Sequence, residues 1–133
     1  MSRRLPKSAL FWLSACVIWC LLVFWLSISA DPPQVRIPLL DWDKLQHGTA
    51  YALLALFAGK SLRYLRFSPG RSWILAGAFA LAFGILMEYL QFAMGRGRMA
   101  EPGDILADAI GVGLVCLVAI LGGRWLAAGE PDA

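Results

Sequence analysis

The stretch Ser8–Ala30, SALFWLSACVIWCLLVFWLSISA, runs for 23 residues without a charged side chain. A helix crosses the hydrocarbon core of a bilayer with about 20 residues. A cleaved signal peptide is the alternative, since basic residues precede the run and Ser27–Ala30 resembles a cleavage site. The apolar part of such a signal is only about 7–15 residues long, however. We therefore expect a retained transmembrane helix.

The composition of the whole chain agrees with a membrane protein. Of 133 residues, 59% are hydrophobic and 16% are charged, whereas soluble domains average about 45–50% and 25%. This balance excludes a disordered chain and argues against a soluble globule of this size. The net charge of +3 does not indicate nucleic-acid binding, because the basic residues flank hydrophobic runs. The three cysteines lie in apolar stretches and are expected to be small buried hydrophobes.

Three further apolar runs are shorter than a complete span. Leu45–Gly59, Ser72–Met87 and Ala109–Gly123 contain 15, 16 and 15 residues, and each becomes long enough only by including polar residues at one end. Such residues cost up to about 3 kcal/mol at the centre of a bilayer and tend to be functional. We predict a single all-α domain over 1–133, a polytopic bundle of four transmembrane helices. The helices are expected at about 9–29, 44–61, 72–93 and 104–123.

The basic residues predict an orientation for these four helices. The N-terminus, the loop 62–71 and the C-terminus share one side, which carries eight basic residues against four on the other. The eight are Arg3, Arg4, Lys7, Lys60, Arg63, Arg66, Arg71 and Arg124, and the four are Arg36, Lys44, Arg96 and Arg98. Because the basic excess faces the cytoplasm, we expect both termini to be cytoplasmic and the loops 30–43 and 94–103 to be extracytoplasmic.

Most of the remaining polar residues fall at the extracytoplasmic ends of three predicted helices. They are Asp43, Lys44 and His47 on the second, Glu88 and Gln91 on the third, and Asp104 and Asp108 on the fourth. His47 and Tyr51 follow Asp43 by four and eight residues, so the three share one helix face. Because lipid offers these groups no partner, we expect the three helices to direct them at one another.

Small residues on the third and fourth helices predict close contacts between helices. On the third helix they are Gly77, Ala80 and Gly84, and on the fourth they are the pairs Ala107/Gly111 and Ala109/Gly113. Small residues four apart let the backbones of membrane helices touch.

The polar residues form an ordered series of motifs. The series reads Asp43-Lys44-x-x-His47-x-x-x-Tyr51, Glu88-x-x-Gln91, an arginine in a glycine-flanked loop, and Asp104-x-x-x-Asp108-x-x-Gly111. In order and spacing it resembles the VanZ-like family of small polytopic membrane proteins. The family often has Asn at the position of Asp108. The motif arginine is Arg96 or Arg98, and Arg98 fits the spacing to Asp104 better.

The resemblance implies a protein of the bacterial inner membrane without implying a reaction. The founding member of the family is associated with resistance to the glycopeptide antibiotic teicoplanin, and many relatives occur in bacteria without such resistance. Whether this chain is an enzyme, and which cofactor it uses, stay open at the level of the sequence.

Several roles are open for the single histidine and its neighbours. His47 is a structural residue bonded to Asp43, a general base or proton shuttle, or a ligand of a divalent cation. With oxygen-rich ligands such a cation would be Mg²⁺, Mn²⁺ or Ca²⁺ rather than zinc, but no compact ligand motif is present and we assign no metal ligands. The candidate catalytic residues are His47, Glu88, Asp43, Asp104 and Asp108. The candidate substrate-binding residues are Arg98, Arg96, Lys44, Gln91 and Tyr51.

Three functions from different classes fit these residues. In the first, Arg96, Arg98 and Lys44 bind the phosphate of a polyprenyl-phosphate or cell-wall precursor lipid, and acid–base groups move protons. In the second, the polar layer only fixes the packing of a membrane interaction module. The third function is a proton- or ion-coupled transporter, which acidic residues and a histidine within the membrane would suit. It is the weakest of the three, because no acidic residue continues toward the cytoplasm to form a path across the membrane. Membrane lipid is the expected partner, nucleic acid is not, and a homo-oligomer stays open.

Overall fold

The computed structural model describes residues 5–29, 43–95 and 102–123, and these residues form four α-helices. The helices are α1 (Lys7–Ile28), α2 (Asp43–Tyr64), α3 (Pro69–Ala93) and α4 (Pro102–Leu121). The predicted all-α class and the four predicted helices are confirmed, and the ends differ from the predicted ones by at most three residues.

Three of the four helices have the length and composition of membrane spans. They are α1, α3 and α4, which supports a multi-pass membrane protein. The second predicted span, α2, is not among them. Its first turn contains Asp43 and Lys44, and its last turns contain Lys60 and Arg63, so its average polarity is higher than that of its neighbours.

The turn between α2 and α3 is short, and hydrogen bonds of the backbone and a proline define the helix ends on its two sides. The N–H of Arg66 donates to the carbonyl of Arg63 at 3.0 Å, and the N–H of Phe67 donates to the carbonyl of Leu62 at 3.1 Å. These two bonds form a Schellman motif, in which Arg66 has a φ of 70°, a conformation that glycine usually provides. Pro69 then occupies the first turn of α3, where a missing N–H costs nothing.

The second helix lies against each of the other three. On its α1 side, the indole N–H of Trp19 donates to the carbonyl of Ala50 at 2.8 Å. Trp12 and Trp19 also contact the ring of Phe57. The apolar core lies between the helices and consists of Val23, Tyr51, Leu54, Ala55, Ala80 and Val112. Since no contacts join α1 to α4 in the described residues, α2 and α3 connect the outer pair.

Two glycines bring the backbones of α2 and α4 into contact. A Cβ atom at Gly111 would overlap the backbone carbonyl of Gly48, and one at Gly48 would lie 3.1 Å from the carbonyl oxygen of Ala107. The predicted contact through Ala107 and Gly111 is therefore present. Gly113 is exposed and has no neighbouring helix within 4 Å among the described residues, so the predicted contact through Gly113 is wrong.

Candidate functional site

The single histidine of the chain lies between two carboxylates near the N-terminal end of α2. Its Nδ1 is 3.5 Å from Oδ1 of Asp108 on α4, and its Nε2 is 4.0 Å from Oδ1 of Asp43 on its own helix. The second distance is too long for the hydrogen bond that the structural role of His47 predicted. The closest carboxylate of His47 therefore belongs to a different helix.

The buried atoms of this contact have unused hydrogen-bonding capacity. Neither Nδ1 of His47 nor Oδ1 of Asp108 has a hydrogen-bond partner in the part of the chain that the structure describes. Asp108 is 2% exposed, and such a buried polar atom normally has a partner. A proton, a water molecule or a cation between or beside these atoms would satisfy them.

An ion pair aligns the first turns of α2 and α4. The Nζ atom of Lys44 donates to Oδ1 of Asp104 at 3.1 Å. Asp104 is 6% exposed, so its charge is largely removed from solvent. The lysine stem passes so close to Gly103 that a Cβ there would lie 2.9 Å from Cε of Lys44. The positive charge of Lys44 is thus directed at a protein carboxylate.

The third helix brings a further carboxylate to the same place. Glu88 is 5% exposed and lies one helical turn after Gly84, which packs against the carboxylate of Asp108; the other ionisable groups at this end of the helices are His47, Asp43, Asp104 and Asp108. We call these five residues and Lys44 the polar cluster. The contacts of His47 with Asp108 and of Lys44 with Asp104 bring ionisable groups of α2 and α4 together, and the participation of Glu88 from α3 stays a prediction.

Glycine and tyrosine form the apolar boundary of the polar cluster. A Cβ atom at Gly84 would lie 2.8 Å from Oδ2 of Asp108, so only glycine leaves room for the carboxylate against α3. Tyr51, one turn after His47, is 3% exposed and belongs to the apolar core. Its ring is stacked with that of His47 at a centroid distance of 6.4 Å.

Of the remaining candidate residues, Tyr51 lies at the apolar boundary and Gln91 is directed elsewhere. The side-chain amide of Gln91 donates to the carbonyl of Ser27 at 3.2 Å, and so joins α3 to the end of α1. Arg96 and Arg98 lie outside the described residues.

Sequence analysis missed the contribution of Gly48 to the site. Gly48 directly follows His47, and its contact with α4 is what places His47 opposite Asp108. A signal was present, because Gly48 and Ala52 are four residues apart, the spacing of small residues at membrane helix contacts.

One group within the polar cluster has the composition of a metal site. Asp43, His47 and Asp104 each offer a donor atom, and these atoms all lie within 4.8 Å of one another. Asp43 is exposed, His47 is partly buried and Asp104 is buried, so the group lies where the polar cluster meets its surroundings.

Comparisons with known proteins do not identify a family for this chain. No protein-family model matches the chain, and neither a curated protein nor a solved structure matches it. The resemblance to the VanZ-like family thus depends on the sequence motifs alone.

Proposed function

We propose that this chain is a bacterial cell-envelope protein of the VanZ-like type that binds and processes a phosphate-bearing lipid, with an effect on glycopeptide susceptibility. In this proposal four helices form a transmembrane bundle in the inner membrane, and both termini are cytoplasmic. The polar cluster then lies near the extracytoplasmic surface. The motif series from Asp43 to Gly111 supports the family, and the excess of basic residues on the other side supports the orientation.

The proposal includes α2 as the fourth membrane span. Its 22 residues would extend about 33 Å as a helix, enough for a hydrocarbon core of about 30 Å. Its position supports a span, since α2 contacts the three other helices and its polar first turn finds partners on α4. A helix that is covered by protein needs less apolar surface than one surrounded by lipid.

The observation that carries the catalytic part is the position of His47 between carboxylates of two helices. An imidazole that is 3.5 Å from one buried carboxylate can accept a proton and return it, while the carboxylate stabilises the charged form. Glu88 lies within electrostatic range of His47 and supplies a second group for proton transfer. We propose His47 and Glu88 as the proton-transfer pair and Asp108 as the residue that positions His47.

Binding of a phosphate requires more positive charge than the polar cluster holds. The cluster contains four carboxylates against Lys44 and His47, and Lys44 already contacts Asp104. Arg96 and Arg98 belong to the short connection between α3 and α4. We propose that they bind the phosphate, because a guanidinium group can donate two parallel hydrogen bonds to it.

The test uses the full chain in nanodiscs, with a polyprenyl phosphate and the uncharged polyprenol of equal chain length. Native mass spectrometry should show retention of the phosphate lipid only, and the mass of the recovered lipid should change with time. His47→Ala and Glu88→Ala should each slow this change at least a hundredfold, while Gly113→Ala should not. Equal retention of both lipids would contradict the proposal, as would full conversion by both variants.

The ion pair between Lys44 and Asp104 favours a second candidate, an interaction module whose polar layer only fixes helix packing. Polar contacts between membrane helices average about 0.6 kcal/mol, so such a layer would set specificity more than stability. In that case substitutions in the polar cluster should lower the melting temperature together with function. Variants that stay folded but lose conversion of the lipid would instead favour the enzyme.

A further inference from the structure

We propose that Asp43, His47 and Asp104 bind a divalent ion of the first transition series at the exposed edge of the polar cluster. Their donor atoms come from the first turns of α2 and α4 and lie within 4.8 Å of one another. Three donor atoms spaced evenly around an ion with bonds of about 2.0–2.2 Å lie about 3.5–3.8 Å from one another. The three side chains therefore need to approach one another by up to about 1 Å to share one ion.

The exposed side chain of Asp43 makes this adjustment easy. Its side chain is 71% exposed, and Oδ1 lies 4.0 Å from Nε2 of His47. It can rotate toward the ion without disturbing the packed helices. His47 and Asp104 are fixed by contrast, because the backbones of α2 and α4 touch at Gly48 and Gly111.

A second observation, outside the three ligands, points to an ion. Asp108 is 2% exposed, and its Oδ1 has no hydrogen-bond partner among the described residues, although it faces Nδ1 of His47 at 3.5 Å. A histidine that binds a metal through one ring nitrogen almost always directs the other at a carboxylate. Asp108, His47 and an ion on Nε2 would form this arrangement, and the buried Oδ1 would then accept the Nδ1 proton.

The surrounding negative charges favour a cation, although two sources of positive charge oppose it. Three carboxylates surround His47: Asp43 at 4.0 Å, Asp108 at 3.5 Å, and Asp104 with a donor atom within 4.8 Å. The N-terminal ends of α2 and α4 carry partial positive charge, and Lys44 contacts Asp104 at 3.1 Å. Lys44 therefore competes with an ion for the carboxylate of Asp104 and lowers its affinity.

The donor set selects the type of ion. Carboxylate oxygens suit Mg²⁺, Ca²⁺ and Mn²⁺, whereas an imidazole nitrogen suits the later transition metals. One nitrogen with two carboxylates suits Mn²⁺ and Zn²⁺ better than Ca²⁺. The binding of the ion does not depend on the proposed function, but its role there does. With the ion on Nε2 and the Nδ1 proton directed at Asp108, His47 has no free ring nitrogen. The ion-bound protein would therefore use Glu88 for proton transfer and the ion as a positive charge that contacts the lipid phosphate, whereas His47 would transfer protons only in the ion-free protein.

The test is electron paramagnetic resonance of Mn²⁺ bound to the full chain, purified without a histidine tag, in nanodiscs of an uncharged lipid. Since the chain contains 1 histidine, an imidazole nitrogen coupling in the echo-modulation spectrum can arise only from His47. We expect one Mn²⁺ per chain with this coupling, and its displacement by Zn²⁺. Mn²⁺ binding without nitrogen coupling, or no saturable binding, would overturn the proposal.

Variants provide a second, independent readout. His47→Gln and Asp43→Asn should each lower the affinity for Mn²⁺ at least tenfold, and Lys44→Met should raise it by removing the competing charge. Glu130→Gln, which removes one carboxylate elsewhere in the sequence, is the matched control and should leave the affinity unchanged. Equal affinities in all four variants would overturn the proposal. Because no phosphate lipid is present, failure here leaves the lipid proposal standing, and failure of lipid binding leaves the metal site standing.

Discussion

The Nδ1 atom of His47 faces Oδ1 of Asp108 across the contact between α2 and α4 at 3.5 Å, and neither atom has a hydrogen-bond partner among the described residues. The contact joins residues 61 positions apart in the sequence. It occurs because Gly48, the neighbour of His47, lies against the backbone of Gly111. The contact between the backbones of α2 and α4 therefore determines which carboxylate lies next to His47.

The exchange Asp108→Asn should preserve the fold. The side-chain amide of asparagine can donate to an unprotonated Nδ1, so the contact would persist with His47 in its neutral form. Asp108→Leu replaces the carboxylate 3.5 Å from Nδ1 by an apolar side chain, so that no polar group faces the buried nitrogen, which costs about 1–3 kcal/mol. Thermal unfolding in detergent should therefore give a melting temperature for Asp108→Asn near that of the parent and a lower one for Asp108→Leu.

The opposite order of melting temperatures would show that His47 does not need a polar partner on α4. Conversion of the lipid gives a second comparison between the same proteins. If Asp108 positions His47, then Asp108→Asn should retain part of the conversion and Asp108→Leu should lose it.

The ion pair between Lys44 and Asp104 should be measurable as a coupling energy. A double-mutant cycle with Lys44→Met, Asp104→Asn and the double variant should give about 0.5–1 kcal/mol, because the lysine is partly exposed. Chemical unfolding in mixed micelles, followed by tryptophan fluorescence, measures the free energies. A coupling of zero would mean that the 3.1 Å contact does not contribute to the association of α2 and α4.

Two glycines of α4 provide a matched test of the helix contact. In Gly111→Ala the new methyl group overlaps the carbonyl of Gly48, and overpacking of this kind costs about 1–3 kcal/mol. In Gly113→Ala the methyl group meets no atom within 4 Å. We expect a lower melting temperature for Gly111→Ala only. If the new methyl group moves His47 away from the bound Mn²⁺, the nitrogen coupling should be lost in the same variant.

Equal melting temperatures for the two alanine variants would contradict the close approach of α2 and α4. The comparison is well controlled, because both glycines lie within α4, two residues apart.

The proposed orientation can be tested with single cysteines at the two ends of α3. After replacement of Cys16, Cys20 and Cys116 by alanine, Ser68→Cys and Met94→Cys place thiols at exposed positions just outside α3. A membrane-impermeant maleimide should label Met94→Cys in cells with a permeabilised outer membrane. It should label Ser68→Cys only after the inner membrane is opened, and the reverse pattern would invert the proposed topology.

The sequence predicted the helices well because each is bounded by charges or by turn residues. The loop predicted at 62–71 is present but shorter than expected, because α2 continues to Tyr64 and α3 begins at Pro69. The last turn of α2 was missed, because the residue that terminates the helix, Arg66, has a positive φ. A helix end of this kind is normally recognised in a sequence by a glycine. Local sequence thus determines the helices, except where a residue adopts an uncommon conformation.

The composition of the polar cluster was predictable, but its internal contacts were not. Spacing along α2 placed His47 and Asp43 on one face, yet the imidazole is closer to Asp108. Spacing within a helix determines which side chains share a face, whereas contacts between helices depend on where the backbones cross. The same limit explains why Gly111 and Gly113 could not be distinguished in advance.

The polar first turn of α2 has a consequence for the order in which the protein is made. Lys44 depends on Asp104, a residue 60 positions later, and His47 faces Asp108. The ribosome has to synthesise both later helices before these side chains meet their partners. If α2 spans the membrane as proposed, it must either wait beside the insertion machinery or enter the bilayer together with α3 and α4, and the polar cluster is then the last part of the protein to assemble.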